Sequence, residues 1–173
     1  MSKALSDVVR PSVSGDNPLA VEQIDLSIRA LSFVRDRLPM WHRYLRADIS
    51  MHIDMAQAVR GDFPALAGDA ELAFAVEQGR QALMDARLSP LELQAQAATL
   101  RDAIEAFTRS APEAVRDVLS VAIAERSKPI LDAARAWNGP MGFERSPETS
   151  AELAAFLTRI TDVGFTVSAG DPI

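Results

Sequence analysis

Polar residues followed by proline divide this chain into segments whose apolar residues recur at helical spacing. Asn17-Pro18, Ser89-Pro90 and Ser146-Pro147 each place a capping side chain before a proline. Proline suits the first position of a helix because its missing N–H would have no intrahelical partner there, and its fixed φ already matches the helix. Between these signals the apolar residues recur three and four positions apart, which places them on one helix face. The chain is therefore predicted to be all-α.

The same pattern predicts a single-domain bundle of five or six antiparallel helices joined by short loops. A first helix is expected from Pro18 to Leu38 and a second from about Met40 to Val59. Pro39 separates them, because a proline disfavours the α conformation of the residue before it, here Leu38. The break at Pro39 is therefore expected as a kink or a helix end.

Later boundaries follow from caps and prolines. Asp69 is expected to cap the third helix, Ser89 with Glu92 the fourth, and Ser110 with Glu113 the fifth, since the last two pairs have the spacing of a capping box. Pro129 lies inside the next apolar pattern, where it either kinks one long helix or separates two short ones. Ser146 is expected to begin the last helix.

The two ends of the chain lack helical periodicity. Residues 1–16 are expected to form a flexible arm, residues 17–165 the helical bundle, and residues 166–173 a flexible tail. No apolar run is long enough for a signal peptide or a membrane-spanning helix, so we expect a cytoplasmic protein with no membrane partner. The chain contains no cysteine. Disulfides, zinc–thiolate sites and thiol nucleophiles are therefore excluded.

The charge of the chain argues against nucleic acid as a partner. The net charge is −6, and 18 basic residues face 24 acidic ones. Binding to a phosphate backbone needs several concentrated cations that release counterions. Only the first two predicted helices carry an excess of arginine, so the sequence favours a partner other than nucleic acid.

The second predicted helix begins with the densest group of side chains typical of binding surfaces. This group contains the only tyrosine of the chain, and its members are Trp41, His42, Arg43, Tyr44 and Arg46. Aromatic and arginine side chains dominate the binding energy of interfaces. The alternative is a core helix with aromatic filling and a solvated arginine edge. The loop 138–147 is a second candidate surface, because Met141 and Phe143 lie among its glycines and prolines.

The two histidines do not predict a metal site. On a continuous helix His42 and His52 would lie roughly 15 Å apart, too far to share one ion. Asp48 and His52 share a face at positions i and i+4, but no third ligand can be identified, and an Asp48–His52 pair is the simpler interpretation. We therefore predict no metal, no cofactor and no catalytic residue.

Two alternatives remain open. The spacing of Arg35 or Arg37 with His42, and of Arg46 with His52, resembles the Arg–His motif of the all-helical HEPN ribonucleases. This resemblance, which extends no further along the chain, implies general acid–base cleavage of RNA. The other alternative is a sensor that binds a small ligand in a bundle pocket lined by Trp41, Tyr44 and Met55.

The function best supported by the sequence is non-enzymatic. The helical stripes account for most of the apolar residues, and no phosphate-binding loop or nucleophile motif occurs. We therefore expect a protein-binding, adaptor or assembly protein that uses a helix face. Its partner is expected to be another protein or a second copy in a homodimer, because helical stripes wider than a monomer can cover commonly pair about a twofold axis.

Overall fold

The computed structural model describes residues 2–13, 15–66, 68–141 and 150–164. Within these residues every helix of eleven residues or more is an α-helix, and no strand occurs. The seven long helices are α1 (Pro18–Arg37), α2 (Trp41–Asp62), α3 (Ala70–Met84), α4 (Pro90–Ser110), α5 (Glu113–Arg126), α6 (Lys128–Asn138) and α7 (Ser150–Gly164). The predicted all-α bundle is confirmed, with seven helices where five or six were expected. None of the described helices is long and apolar enough to span a membrane.

Three of the predicted caps are present and one is wrong. The side chains of Asn17 and Asp69 accept hydrogen bonds from the first turns of α1 and α3. At the start of α4, Ser89 and Glu92 form the complete reciprocal capping box. Ser110 does not cap α5, because α4 continues through it and the residue before α5 is Pro112. A proline at that position supplies no side-chain acceptor, so α5 begins without a side-chain cap.

The two internal prolines act differently. Leu38 keeps helical angles (φ −54°, ψ −42°) in spite of Pro39, so the prediction that it leaves the α region was wrong. The chain instead tightens into one 3₁₀ turn, Leu38–Met40, and α2 follows directly. Pro129 separates two helices, α5 and α6, which are joined at Ser127. Because Pro129 lies in the first turn of α6, its missing N–H interrupts no helical hydrogen bond.

Helix α2 is the centre of the bundle. It contacts α3, α4, α5, α6 and α7, and residues 47–53 are all buried, so no side of its middle faces solvent. Leu45, Ile49 and Val59 lie on one side of α2, and all three are buried. A second side, with Ala47 and Met51, is equally buried. A helix that is buried all round has to find partners for every polar side chain it carries.

Two apolar cores lie on opposite sides of α2. The larger core contains residues of α2, α3, α4 and α5, and its fully buried members include Ile49, Leu72, Leu93, Leu100 and Leu119. The smaller core joins Ala47 and Met51 of α2 to α6 and α7, where Leu153 and Leu157 are fully buried. Both leucines therefore lie on the buried side of α7.

Helix α1 lies largely outside these cores. The only buried residue among its 20 residues is Arg37 at its last position. Its contacts with the bundle are concentrated at the turn Leu38–Met40 and at the 3₁₀ turn Gly139–Met141. α1 is therefore attached to the bundle by its C-terminal end.

Part of the segment predicted as a flexible arm is helical. Three short helical turns, Ser2–Ala4, Leu5–Val9 and Arg10–Ser12, form an N-terminal helical segment that contacts α1. Arg10 binds Asp25 of α1 with an Nε–Oδ1 distance of 2.7 Å. The predicted helix start at Ser146 and the tail 166–173 lie outside the described residues, and the domain boundaries stay predictions.

The close approach of α2 and α3 provides a test of this packing. A Cβ atom added at Gly79 of α3 would lie 3.1 Å from Cδ1 of Ile53 in α2. Gly79→Leu is therefore expected to lower the free energy of unfolding by about 2 kcal/mol, because the larger side chain forces the helices apart. Urea denaturation measures the change.

The matched control is Gly61→Ala near the end of α2. A Cβ at Gly61 meets no atom within 4 Å. Alanine there is expected to be neutral or to stabilise by up to about 1 kcal/mol, since it has the higher helix propensity. An equal loss of stability in both variants would contradict the close approach of α2 and α3 at Gly79.

Candidate functional site

Two members of the predicted aromatic–arginine surface bind main-chain carbonyls inside the molecule. Arg46 donates to the carbonyl oxygens of Ala82 and Leu83 in the last turn of α3, and to that of Asp85 just beyond it. His42 lies with Nε2 3.1 Å from the carbonyl oxygen of Leu88. Because the last carbonyls of a helix have no intrahelical donor, Arg46 holds α2 to the end of α3. His42 holds α2 to the connection between α3 and α4.

The other members point to different surroundings. Tyr44 is half-buried and stacks on Trp137 of α6, with ring centroids 4.3 Å apart. Arg43 is exposed and donates to the hydroxyl of Thr158 in α7 at 3.3 Å. Trp41 is 39% exposed at the start of α2. The structure therefore distributes Trp41, His42, Arg43, Tyr44 and Arg46 around α2 rather than on one surface.

The second predicted surface is described only in part. Met141 is half-buried in the 3₁₀ turn Gly139–Met141, which contacts α1. Phe143 lies outside the described residues. Met141 thus lies beside the attachment point of α1, while the predicted loop surface stays a prediction.

An aromatic cluster attaches α1 to the bundle. Arg37 donates from Nε to the carbonyl oxygen of Trp137 at 2.9 Å and from a terminal nitrogen to that of Ala136 at 3.0 Å. Its guanidinium also lies 5.8 Å from the centre of the Trp137 ring, and Phe33 meets that ring edge-on at 6.4 Å. A buried guanidinium near the end of α6 is favourable because it satisfies two carbonyls and faces the negative end of the helix dipole. No sequence motif signals this contact, because the two partners lie about a hundred residues apart.

Asp48 is the centre of a buried polar cluster. Its carboxylate lies 3.3 Å from Nδ1 of His52 and accepts a hydrogen bond from Arg101 of α4 at 2.8 Å. Nδ1 of His52 also lies 2.8 Å from the main-chain carbonyl of Asp48. The expected Asp48–His52 pair is present, and Arg101 is the partner that the sequence could not identify. This cluster binds α2 to α4, and Asp48 and His52 are almost fully buried within it, whereas Arg101 lies at the surface.

The geometry argues against two of the three Arg–His pairs of the ribonuclease alternative. That alternative requires an arginine and a histidine that both reach RNA. Arg37 and Arg46 are engaged by main-chain carbonyls, and His52 is only 5% exposed. Among the described residues, no three His, Asp or Glu side chains are grouped closely enough to hold a metal ion.

One residue of the predicted small-ligand pocket lines a groove in the structure. The groove has a volume of about 760 Å³ and lies between α2, the α5–α6 junction and α7. Met55 lines it, together with Met51 and Phe156. Trp41 and Tyr44 do not. Asp54 lies in the wall, and partial burial raises the pKa of its carboxyl group. Of the predicted pocket residues Trp41, Tyr44 and Met55, only Met55 therefore lines this groove.

An exposed apolar surface with helical spacing lies on α1. We call Leu19, Leu26, Ala30 and Val34 the α1 stripe; all four are exposed, and the large members are 64%, 43% and 53% exposed respectively. The opposite side of α1, which carries Val21, Ile24 and Ile28, is half-buried. Asp25, on that side, binds the N-terminal helical segment through Arg10. α1 thus has two apolar sides, and only one is partly covered.

No protein-family model, curated protein or solved structure matches this chain. The functional evidence is therefore the geometry of its own side chains. The two histidines, Arg37 and Arg46 make structural contacts inside the protein, whereas the α1 stripe is exposed. A binding surface is the arrangement that this geometry supports best.

The buried cluster predicts a strong effect of removing one charge. Asp48→Asn is expected to lower the free energy of unfolding by about 2 kcal/mol, because it leaves Arg101 and His52 without their carboxylate. The control is Asp36→Asn, which breaks the exposed pair of Asp36 with Arg35 and should cost less than about 1 kcal/mol. Denaturant unfolding compares the two. Equal effects would show that Asp48 is no more important than a surface carboxylate.

Tyr44 predicts a loss of stability at high pH. Its burial, and secondarily the charge of Asp48, raise its pKa to about 12 from an ordinary value of 10. Between pH 10 and 12 the unfolded chain therefore loses the phenolic proton while the folded chain keeps it, and stability falls as the pH rises.

The tyrosine is the only one in the chain, so its ionisation can be followed by ultraviolet absorbance without overlap. The folded protein is expected to titrate near 12 and the urea-unfolded protein near 10. Tyr44→Phe should remove this part of the alkaline destabilisation. A folded-state midpoint at the ordinary value would contradict the burial of the phenol.

Proposed function

We propose that this protein is a non-enzymatic, protein-binding bundle of the adaptor or assembly type, which binds a polypeptide through the α1 stripe. The partner is another protein or a second copy of the chain in a homodimer. The observation that carries the proposal is that α1 has 20 residues and a single buried one. The proposal includes a cytoplasmic location. It also includes a partner other than nucleic acid, in keeping with the net charge of −6.

The stability of helices supports this proposal. An isolated helix of this length is marginal in water, because most helical stability in proteins comes from packing an apolar face. α1 packs on the bundle mainly at its C-terminal end and on the short N-terminal helical segment. Leu19, Leu26 and Val34 stay exposed. A partner that covers them would bury apolar surface at about 25 cal/mol per Å².

The attachment of α1 also favours recognition. Arg37 and Phe33 fix its C-terminal end on Trp137. A helix held at one end presents its side chains in a defined direction, and this reduces the entropy lost on binding. Apolar positions that recur along one helix side are the pattern by which helices enter grooves or pair with other helices.

The experiment changes the centre of the α1 stripe. Wild-type protein, Leu26→Asp and Leu91→Asp are isolated gently from the native cells, and the mass of each species is measured. Leu91 of α4 is the matched control, since it is 75% exposed but lies outside the α1 stripe. We expect wild type and Leu91→Asp to be heavier than the 18.7 kDa monomer, and Leu26→Asp to lose the partner.

Two outcomes would contradict the proposal. One is a wild-type protein that is isolated as a monomer with no co-eluting partner. The other is a complex that Leu26→Asp leaves intact. Circular dichroism of both variants checks that they are folded, so that a lost complex reports the surface and not the fold.

A further inference from the structure

We infer that the part of the α1 stripe from Leu19 to Ala30 binds the same part of a second copy, in an antiparallel helix pair aligned by two Glu22–Arg29 ion pairs. This inference rests on the proposed function and adds the partner, its direction and its register. It depends on three features of α1: the spacing of the stripe, the charges beside it and the position of the bundle.

The spacing is that of a helix that pairs with another helix. Leu19, Gln23, Leu26 and Ala30 follow each other at intervals of four, three and four residues, and all are exposed. These are the core intervals of a two-helix coiled coil, in which the core residues recur every seven positions. Gln23 lies within this short core as a polar residue, and such residues help to select one register at some cost in stability.

The charges beside the stripe select the direction of pairing. Glu22 and Arg29 are exposed, lie seven residues apart on the same flank, and have no ion-pair partner among the described residues. In an antiparallel pair the same flank of both helices meets, so Glu22 of each copy lies beside Arg29 of the other. In a parallel pair this flank meets the opposite one, which carries Ser27 and Val34 and offers no charge. Charge complementarity therefore favours the antiparallel pair.

The charges also select the register. When Glu22 meets Arg29 of the second copy, Leu26 lies against Gln23 and Ala30 against Leu19 of that copy. A shift by one heptad would place Arg29 beside Arg29 of the other copy, and like charges at an interface are unfavourable.

The position of the bundle is compatible with this register. The two helices overlap roughly from Pro18 to Leu31, so that Phe33 and Arg37 keep their contacts with Trp137. The attachment point lies roughly 20 Å from the twofold axis at 1.5 Å per residue, and the two bundles lie at opposite ends of the pair. The contact is smaller than a standard interface, and we expect a reversible dimer that depends on concentration.

The test uses the purified full-length chain without other proteins. Sedimentation velocity over a concentration series measures the association constant of the wild type and the charge variants. Glu22→Arg and Arg29→Glu are each expected to weaken association about tenfold, because each replaces two attractive contacts by two repulsive ones. The double variant E22R/R29E is expected to recover the wild-type value. Glu105→Arg is the control, since it reverses an exposed charge on α4 outside the α1 stripe.

Cysteine cross-linking tests the direction independently. The chain has no cysteine, so introduced ones give an unambiguous signal. Gln23→Cys mixed with Leu26→Cys is expected to form a disulfide between the two different variants on oxidation, since these positions lie opposite each other in the antiparallel register. A parallel pair would instead link each variant to itself and would overturn the inference.

Failure of the inference can be told apart from failure of the proposed function. If the purified chain is monomeric at all concentrations while Leu26→Asp still abolishes a complex in cells, the partner is a different protein and the inference is wrong. If E22R and R29E associate like the wild type, the register is wrong. If Leu26→Asp changes neither the complex isolated from cells nor the self-association of the purified chain, both proposals are wrong.

Discussion

The burial of α2 on every side is the constraint on which the rest of the structure depends. Because five helices surround residues 47–53 of α2, the polar side chains there cannot reach solvent and each of them needs a partner inside. Asp48 and His52 meet this requirement with each other and with Arg101. The same burial leaves them out of reach of a substrate. Residues that look catalytic in the sequence thus become the polar contacts of a central helix.

Two arginines of this chain bind the ends of helices. Arg46 binds the last carbonyls of α3, and Arg37 binds those of α6. The physical reason is common to both, since the last four carbonyls of a helix lack donors and carry the negative end of its dipole. A planar guanidinium with five N–H groups can satisfy two or three of them at once. An arginine-rich chain of negative net charge therefore has a structural use for its cations, and a cluster of arginines in its sequence is not by itself a binding surface.

Sequence periodicity identifies the apolar side of a helix but not what covers it. Periodicity agrees with the interior positions of Leu45 and Ile49 in α2 and of Leu153 in α7. It missed the second buried side of α2, since Ala47 and Met51 fit a solvent-facing helix as well as a buried one. Local signals, such as the Ser89–Glu92 capping box and the Asp48–His52 spacing, were predictable because both partners lie within one turn. Arg101 and Arg37 were not, because their partners are brought together only by the packing of helices distant in sequence.

The contrast between α1 and α2 connects the fold to the proposed function. In α2 all apolar and polar side chains of the middle are covered by five neighbouring helices, so that helix is complete within the monomer. Helix α1 carries apolar side chains of the same types as α2. Its side with Val21, Ile24 and Ile28 is only half-buried, and the α1 stripe is exposed. A hydrophobic surface along a helix is well complemented by another helix. In the proposed dimer, α1 of the second copy covers Leu19, Leu26 and Ala30, and Glu22 and Arg29 supply the matching charges.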